Sequence, residues 1–340
     1  MINVFLKYLS FIFLCLLPFA ASAQEAEAPL QDDHDKNYLS FSYENDLIGG
    51  GTDQFYTSGV RATWFNANTR VPGVIDDLAE YVPIFDINPT TGTFFTLGQT
   101  IFTPENIRSN IPQSDDRPWA GFLYGSVGLA TRTGDHVDEL EITLGVVGPE
   151  SLGEQTQKFI HENITNSPDP EGWDNQLDFE PGLILSWQRR WPQAGTYTVS
   201  DYILGAQPHV NISLGNVYTY AGSGLTFTLG PRDQFQDTPP RVRPAMPGSG
   251  YFESPMQGGS WQLFAGIEGR AMARNIFLDG NSFSDSPRID KELLMGDAVA
   301  GLSITMGDYR LAYSYNIRTA EFKGQDSEST FGSLTLTARF

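Results

Sequence analysis

Ser333-Leu334-Thr335-Leu336-Thr337-Ala338-Arg339-Phe340 ends the chain on a strict alternation of polar and apolar residues. Two is the side-chain period of a β-strand, so Leu334, Leu336, Ala338 and Phe340 share one face and Ser333, Thr335, Thr337 and Arg339 the other. Such a strand suits a wall with lipid on one side and a wet lumen on the other. A terminal Phe on such a strand is also the usual assembly signal of outer-membrane barrels. The fold expected is therefore all-β: a transmembrane, antiparallel, up-and-down β-barrel.

Working back from that strand, similar segments fall near 38–45, 54–66, 92–102, 118–132, 137–148, 179–191, 200–214, 217–229, 258–273, 292–306 and 308–322. Leu140-Glu141-Ile142-Thr143-Leu144 and Leu311-Ala312-Tyr313-Ser314-Tyr315 carry the cleanest alternation. The total, about twelve, is even, as a single-chain bacterial barrel requires. With both termini periplasmic, strand parity sends 46–53, 103–117, 149–178, 215–216, 274–291 and 323–328 to the extracellular side. Thr133-Gly134-Asp135 and Met306-Gly307-Asp308 become tight periplasmic turns. Two periplasmic connections are long, 67–91 and 230–257. The second is rich in Pro and Gly and reads as irregular.

The N-terminus agrees with export. Lys7 precedes an apolar run from Tyr8 to Ala20, and Ala21-Ser22-Ala23 supplies a cleavage pattern. Residues 1–23 are thus expected to be a signal peptide, and 24–340 one outer-membrane barrel domain. Cys15 lies in the leader, so the mature chain has no thiolate or disulfide chemistry. After residue 23 no stretch reaches the roughly 20 apolar residues of a membrane helix. A mean hydropathy of -0.26 would by itself suggest a soluble protein. The aromatic content of 13% and 34 glycines instead suit short strands with aromatic girdles. A formal charge of -20 excludes nucleic acid as a partner, which calls for a basic surface. It leaves room for lipopolysaccharide, whose anionic headgroups are crosslinked by divalent cations that acidic loops can also hold.

Three outer loops carry polar clusters. Glu44-Asn45-Asp46 leads into Gly49-Gly50-Gly51-Thr52-Asp53 and Tyr56-Thr57-Ser58-Gly59. Its Asn and Asp oxygens are hard ligands of the kind Ca²⁺ prefers, or simply those of an Asx-rich hairpin loop. Thr103-Pro104-Glu105-Asn106-Ile107-Arg108, followed by Asp115-Asp116-Arg117, offers in Arg108 either a phosphate contact or a solvated rim charge. The third reads as a helix from Ser151 to Ile164, with Ser151 as N-cap and Glu154 at the capping-box position. His161 stands near its end. His34 precedes the first strand, His136 lies in a turn and His209 on a strand, so His161 is the best candidate general base. A packed or surface histidine is the competing reading. Ser167-Pro168-Asp169-Pro170-Glu171 follows with carboxylates able to orient an imidazole. No G-x-S-x-G elbow, H-E-x-x-H helix or phosphate loop is present.

At these segments the chain resembles the LpxR family, the outer-membrane lipid A 3′-O-deacylases. The likeness rests on Glu44-Asn45-Asp46, Thr52-Asp53, Tyr56-Thr57-Ser58-Gly59 and Ile101-Phe102-Thr103-Pro104. It continues through Gly148-Pro149, Gly153-Glu154-Gln155, Gln157, His161 and Gly172-Trp173-Asp174-Asn175-Gln176-Leu177. It spans 38–340 and is most specific before about residue 230. The resemblance implies a twelve-stranded barrel with a site at the outer rim, between wall and loop helix. It implies Ca²⁺-dependent removal of the 3′-linked acyloxyacyl chain of lipid A. Carried over, it makes His161 the catalytic histidine and Asn45 and Asp46 both catalytic and metal-binding. Thr57 is the family's threonine, Asp169 the following carboxylate (with Glu171 the alternative), and Arg108 the basic substrate contact. The partners implied are lipopolysaccharide and the outer membrane, with the chain acting as a monomer. A non-catalytic barrel, either a pore or a surface-binding protein, and a barrel phospholipase are the competing functions.

Overall fold

A computed structural model describes residues 37–49, 55–66, 85–165, 167–232 and 259–340. The expected signal peptide, the greater part of the 67–91 and 230–257 connections and the glycines at 50 and 51 lie outside them. Thirteen strands form one antiparallel sheet: β1 (Asn37–Asn45), β2 (Phe55–Asn66), β3 (Gly92–Thr103), β4 (Ala120–Thr133), β5 (His136–Val147), β6 (Glu180–Arg190), β7 (Gly195–Val199), β8 (Tyr202–Gly215), β9 (Tyr218–Pro231), β10 (Gly259–Asn275), β11 (Leu294–Met306), β12 (Tyr309–Arg318) and β13 (Ser329–Arg339). Each strand pairs with its neighbour in sequence except at two seams. β1 pairs with β13, and β6 pairs with β8, so the sheet closes on itself.

Thirteen segments make twelve staves. β6 and β7 run in the same direction along β8, pairing Arg190 with His209 and Gly195 with Ala206. They are two halves of one stave, broken at Trp191-Pro192, where proline has no N–H to donate. The sequence reading had no separate β7. It also carried the eleventh segment to residue 322, whereas β12 stops at Arg318. Past it, Glu321 and Phe322 turn inward and are buried, which breaks the alternation a strand needs.

The last strand behaves as its alternation requires. Leu334, Leu336 and Phe340 are exposed on the outer surface, while Ser333, Thr335 and Thr337 are buried in the lumen. Thr335 and Thr337 meet β1 hydroxyls directly opposite, Ser42 at 2.9 Å and Ser40 at 2.8 Å. An apolar outer surface over a polar lumen is the inside-out arrangement of a membrane barrel, in which closure leaves no unsatisfied edge.

The two rims differ. At one, Asn37 and Phe340 exchange backbone hydrogen bonds, and the tight turns at Gly134 and Gly307 sit there too. The other carries the long loops. Just inside that long-loop rim an aromatic layer crosses the lumen, with Phe102 stacked on Phe277 at 4.3 Å and Tyr218 against Phe277 at 5.4 Å. Beside it runs a chain of charge pairs: His209–Glu268 (2.9 Å), Glu268–Arg270 (3.2 Å), Arg270–Asp297, Asp297–Arg318 (2.8 Å), Arg318–Glu321 (3.5 Å) and Glu321–Arg117 (3.0 Å). Charges buried this way need partners, and each of these has at least one.

Candidate active site

The alternation that builds the wall also locates the site. On β3, Phe95 and Leu97 point outward and are exposed. The next residues of that outward row are Gln99, Ile101 and Thr103. Ile101 and Thr103 are fully buried, so something covers the outer face of the wall near the long-loop rim. On β1 the same row passes Leu39 and Phe41, both exposed, and ends at Asn45, which is buried. Strand register joins these covered positions, since Asn45 lies opposite Ser58, Ser58 opposite Ile101, and Ile101 opposite Gly121.

Over β3 and β4 the cover is the loop between β5 and β6, while beside Asn45 it is the short helix Asp46–Gly49, whose Ile48 lies against Gly332, the β13 partner of Asn45. Gln99 Nε2 donates to the carbonyl of Ser151 at 2.6 Å. At Gly121 a Cβ would collide with Ser151 Oγ and lie 3.2 Å from the Cα of Gly153. Only a glycine lets this loop bed so closely on the wall. The segment runs as a 3₁₀ turn (Pro149–Ser151), an α-helix (Gly153–Ile160) and a π-helical turn (His161–Thr165). The expected capping box is not how it starts. Ser151 Oγ donates instead to the carbonyl of Gly148 at 2.6 Å, and the N-cap is Leu152 in a left-handed conformation without a side-chain cap. Glu154 is free to pair with Lys158 at 2.5 Å and holds that ammonium above the usual lysine range.

Gly153, Gln157, Ile160 and His161 are the buried stripe of this helix, at the spacing of one face. Trp173 Nε1 donates to Gln157 Oε1 at 2.8 Å and fixes that face. Beneath it Ile101, Ile107, Trp119 and Trp173 make a small apolar core on the outside of the barrel, the two indoles 5.2 Å apart. The β3–β4 loop and the segment after the helix are zipped together by Glu171 N–H to Ile107 carbonyl (2.8 Å) and Leu177 N–H to Trp119 carbonyl (2.9 Å).

His161 is 2 % exposed. Its Nδ1 lies 2.6 Å from the carbonyl of Pro168. A carbonyl only accepts, so Nδ1 carries the hydrogen and Nε2 is the proton-accepting nitrogen of the neutral ring. The orienting group seen here is thus a backbone carbonyl. Asp169, the carboxylate expected in that role, is the next residue and is itself exposed, as is Glu171. Asp46 is 1 % exposed, at the junction of β1 with a short helix (Asp46–Gly49). Neighbouring residues part company here: Glu44 lies on the inner row, its carboxylate 3.9 Å from Arg61, while Asn45 belongs to the outer row. Thr57 occupies a bulge between Tyr56 and Ser58, and its side chain lies outside the described residues. Arg108 is exposed beside buried Ile107.

For a cation, the adjacent and buried Asp46 and Asn45 offer a carboxylate and an amide oxygen, a donor type that suits Ca²⁺. Among the described residues no three His, Cys, Asp or Glu converge, so backbone carbonyls, water or a substrate oxygen would complete such a shell. Of the residues that seat the helix, sequence reasoning passed over Gln99 and Gly121 and met Gln157 and Trp173 only as part of the family likeness. A glycine within a strand was the available signal for one of them.

Known proteins agree with this architecture. The LpxR model, described as "Outer membrane protein LpxR", matches residues 9–340. LpxR from Salmonella typhimurium superposes with a TM-score of 0.73 at 19% identity, over 88% of this chain and 99% of that one. The β domain of the Bordetella autotransporter BrkA aligns at 10% identity over 90% and 99%, with a TM-score of only 0.44. No curated protein matches the sequence. A closed twelve-stave barrel whose outer wall is roofed at one rim by a histidine-bearing helix, matched from residue 9 to its end, belongs to the LpxR family of outer-membrane proteins.

Proposed function

We propose that the chain is a lipid A deacylase, hydrolysing the 3′-linked acyloxyacyl ester of lipopolysaccharide with its long-loop rim toward the outer leaflet. The observation carrying this reading is that Asn45, on the outer row of β1, and the helix bearing His161, seated on the outer rows of β3 and β4, are both on the membrane side of the wall rather than in the lumen. A lipid in the leaflet reaches that side laterally. The side-chain-filled lumen speaks against a pore, the competing reading.

In the reaction water adds to the ester carbonyl carbon and the bond to the sugar oxygen breaks, giving a carboxylic acid and a free hydroxyl. His161 Nε2 takes a proton from the attacking water and returns one to the departing alkoxide. The Pro168 carbonyl holds the ring and stabilises the imidazolium between these transfers. Ca²⁺ bound at Asp46 and Asn45 would supply positive charge where the carbonyl oxygen turns negative. Arg108 offers a guanidinium to a lipid phosphate, Asp169 adds negative charge near the ring, and Thr57 stands at the bulge where β2 meets the site. With water as the nucleophile, the missing serine elbow is no obstacle.

Mass spectrometry of lipid A from cells expressing the protein tests this. The wild type should release the acyloxyacyl chain, chelation should stop it and calcium restore it. His161→Ala should slow release by about 10²–10⁴-fold, the usual contribution of a general base. Intact lipid A from wild-type cells, or loss of acyl chains from glycerophospholipid alone, would sink the proposal.

A further inference from the structure

The β3–β4 loop reaches both sides of the wall. At its end Arg117 and Trp119, separated only by Pro118, face opposite ways. Arg117 is fully buried on the lumen side, its guanidinium over the Phe102 ring at 4.6 Å and its Nη1 donating to Glu321 Oε2 at 3.0 Å. Among the described residues Nε and Nη2 have no acceptor, so Glu321 alone holds the group by hydrogen bonding. Glu321 is itself a fixed point, since its N–H donates to Gln325 Oε1 and its carbonyl accepts from Glu292 N–H, both at 2.8 Å. Trp119 lies on the outer side, with its indole 5.2 Å from Trp173 and its carbonyl accepting the Leu177 N–H at 2.9 Å. Trp173 Nε1 donates to Gln157 Oε1 at 2.8 Å, and the Gln157 carbonyl accepts the N–H of His161. A path of direct contacts thus joins a carboxylate in the lumen to the candidate base outside it.

Packing alone does not account for the charge, since apolar side chains in place of a buried ion pair are often as stable or more so. We propose that Arg117 is a positioning residue: its bond to Glu321 fixes the β3–β4 loop, and through Trp119 and Trp173 that loop sets where the helix carrying His161 stands. This rests on the deacylase reading for what His161 does, while the coupling rests on the contacts themselves. Arg117 and Glu321 are both buried, so neither touches a lipid on the outer face. Without their bond the helix keeps its seat on Gly121 and Gln99, while the side held by Trp173 shifts. The chemical step then suffers and binding does not.

The indole pair gives the proposal an optical readout. Trp119 and Trp173, tilted at 56°, should couple their ring transitions and give a bisignate circular-dichroism band, identified by its loss in Trp173→Phe. Arg117→Met and Glu321→Gln should each weaken that band. Each should also lower kcat for lipid A hydrolysis about tenfold with KM unchanged, less than a full displacement of the base would cost because the helix stays seated. Arg117→Lys should keep most of both, since a single bond to Glu321 asks only for a charged donor. Arg189→Met removes the partner of Asp138 (2.8 Å) at the opposite rim, and should lower the melting temperature while leaving band and kcat unchanged. A heat-dependent shift on an electrophoresis gel identifies the closed barrels, and Glu321→Gln, equal in size, carries the test if Arg117→Met does not close. Closed barrels of these two variants with wild-type band and kcat overturn the proposal. Equal losses in Arg189→Met overturn it too, because the effect would then be general destabilisation. If the wild type deacylates nothing, the deacylase reading fails while the band still reports whether the lumen pair holds the helix in place.

Discussion

At the scale of single residues, adjacent side chains are sent to different worlds by one peptide bond. Glu44 goes to the lumen with Arg61, and Asn45 goes to the outer face. Asp46→Asn keeps the shape and removes the charge. Under the calcium proposal it should raise the calcium concentration for half-maximal activity at least tenfold, measured by titration against lipid A hydrolysis. Trp173→Phe keeps the apolar core on Trp119 but deletes the hydrogen bond to Gln157. The expected cost is about 1 kcal/mol in thermal unfolding, the usual net worth of such a bond.

The loop helix is too short to stand alone, since isolated helices under about twelve residues are marginal in water. It is stable only through its seat on Gly121, Gln99 and Trp173. Gly121→Val should unseat it, because Ser151 and Gly153 occupy the space a side chain would take. Activity should fall by about 10²-fold, the penalty associated with displacing a catalytic group by an ångström. The barrel itself should persist, still shifting on an electrophoresis gel when heated. Loss of that shift would mean that Gly121 serves strand pairing and not the helix. The left-handed Leu152 and the π-helical turn at His161 bracket the same element, a location where such irregularities often serve function.

Across the whole molecule, the charge chain ties loops far apart in sequence. Arg117, fully buried in the β3–β4 loop, meets Glu321 of the β12–β13 loop at 3.0 Å and lies over Phe102 at 4.6 Å. Burial pushes the Glu321 carboxyl up, but Arg117 and Arg318 outweigh it and hold it below the ordinary carboxylate range. A carboxyl lowered in the folded state contributes stability that is complete above its unfolded value, near 4.5, and lost as pH falls through the lower folded value. The melting temperature should therefore drop on acidification below about pH 4.5, and Glu321→Gln should flatten that acid limb. Arg117→Met leaves Glu321 buried with Arg318 alone and should cost about 3 kcal/mol at neutral pH. An Arg117→Met/Glu321→Leu double variant should recover part of that loss, which thermal unfolding of all three would reveal.

The barrel could be read from the chain because lipid outside and water inside impose a period of two on every strand, and Leu334, Leu336 and Phe340 needed no partner to declare their side. The same period, with an aromatic ending and an even number of segments, determined closure and which loops share a rim. It could not reveal the stave broken at Trp191-Pro192, because each half alone is an unremarkable short segment. Nor could it show why β12 stops at Arg318, which depends on Glu321 reaching a cation two hundred residues away. The residues of the candidate site were found one by one in the sequence. That Asn45 and the helix bearing His161 both lie on the outer face of the wall was decided by the tertiary structure alone. A residue's type and spacing report the face it occupies on its own element, while what covers that face comes from another element, through Gly121, Gln99 and a carbonyl at Pro168.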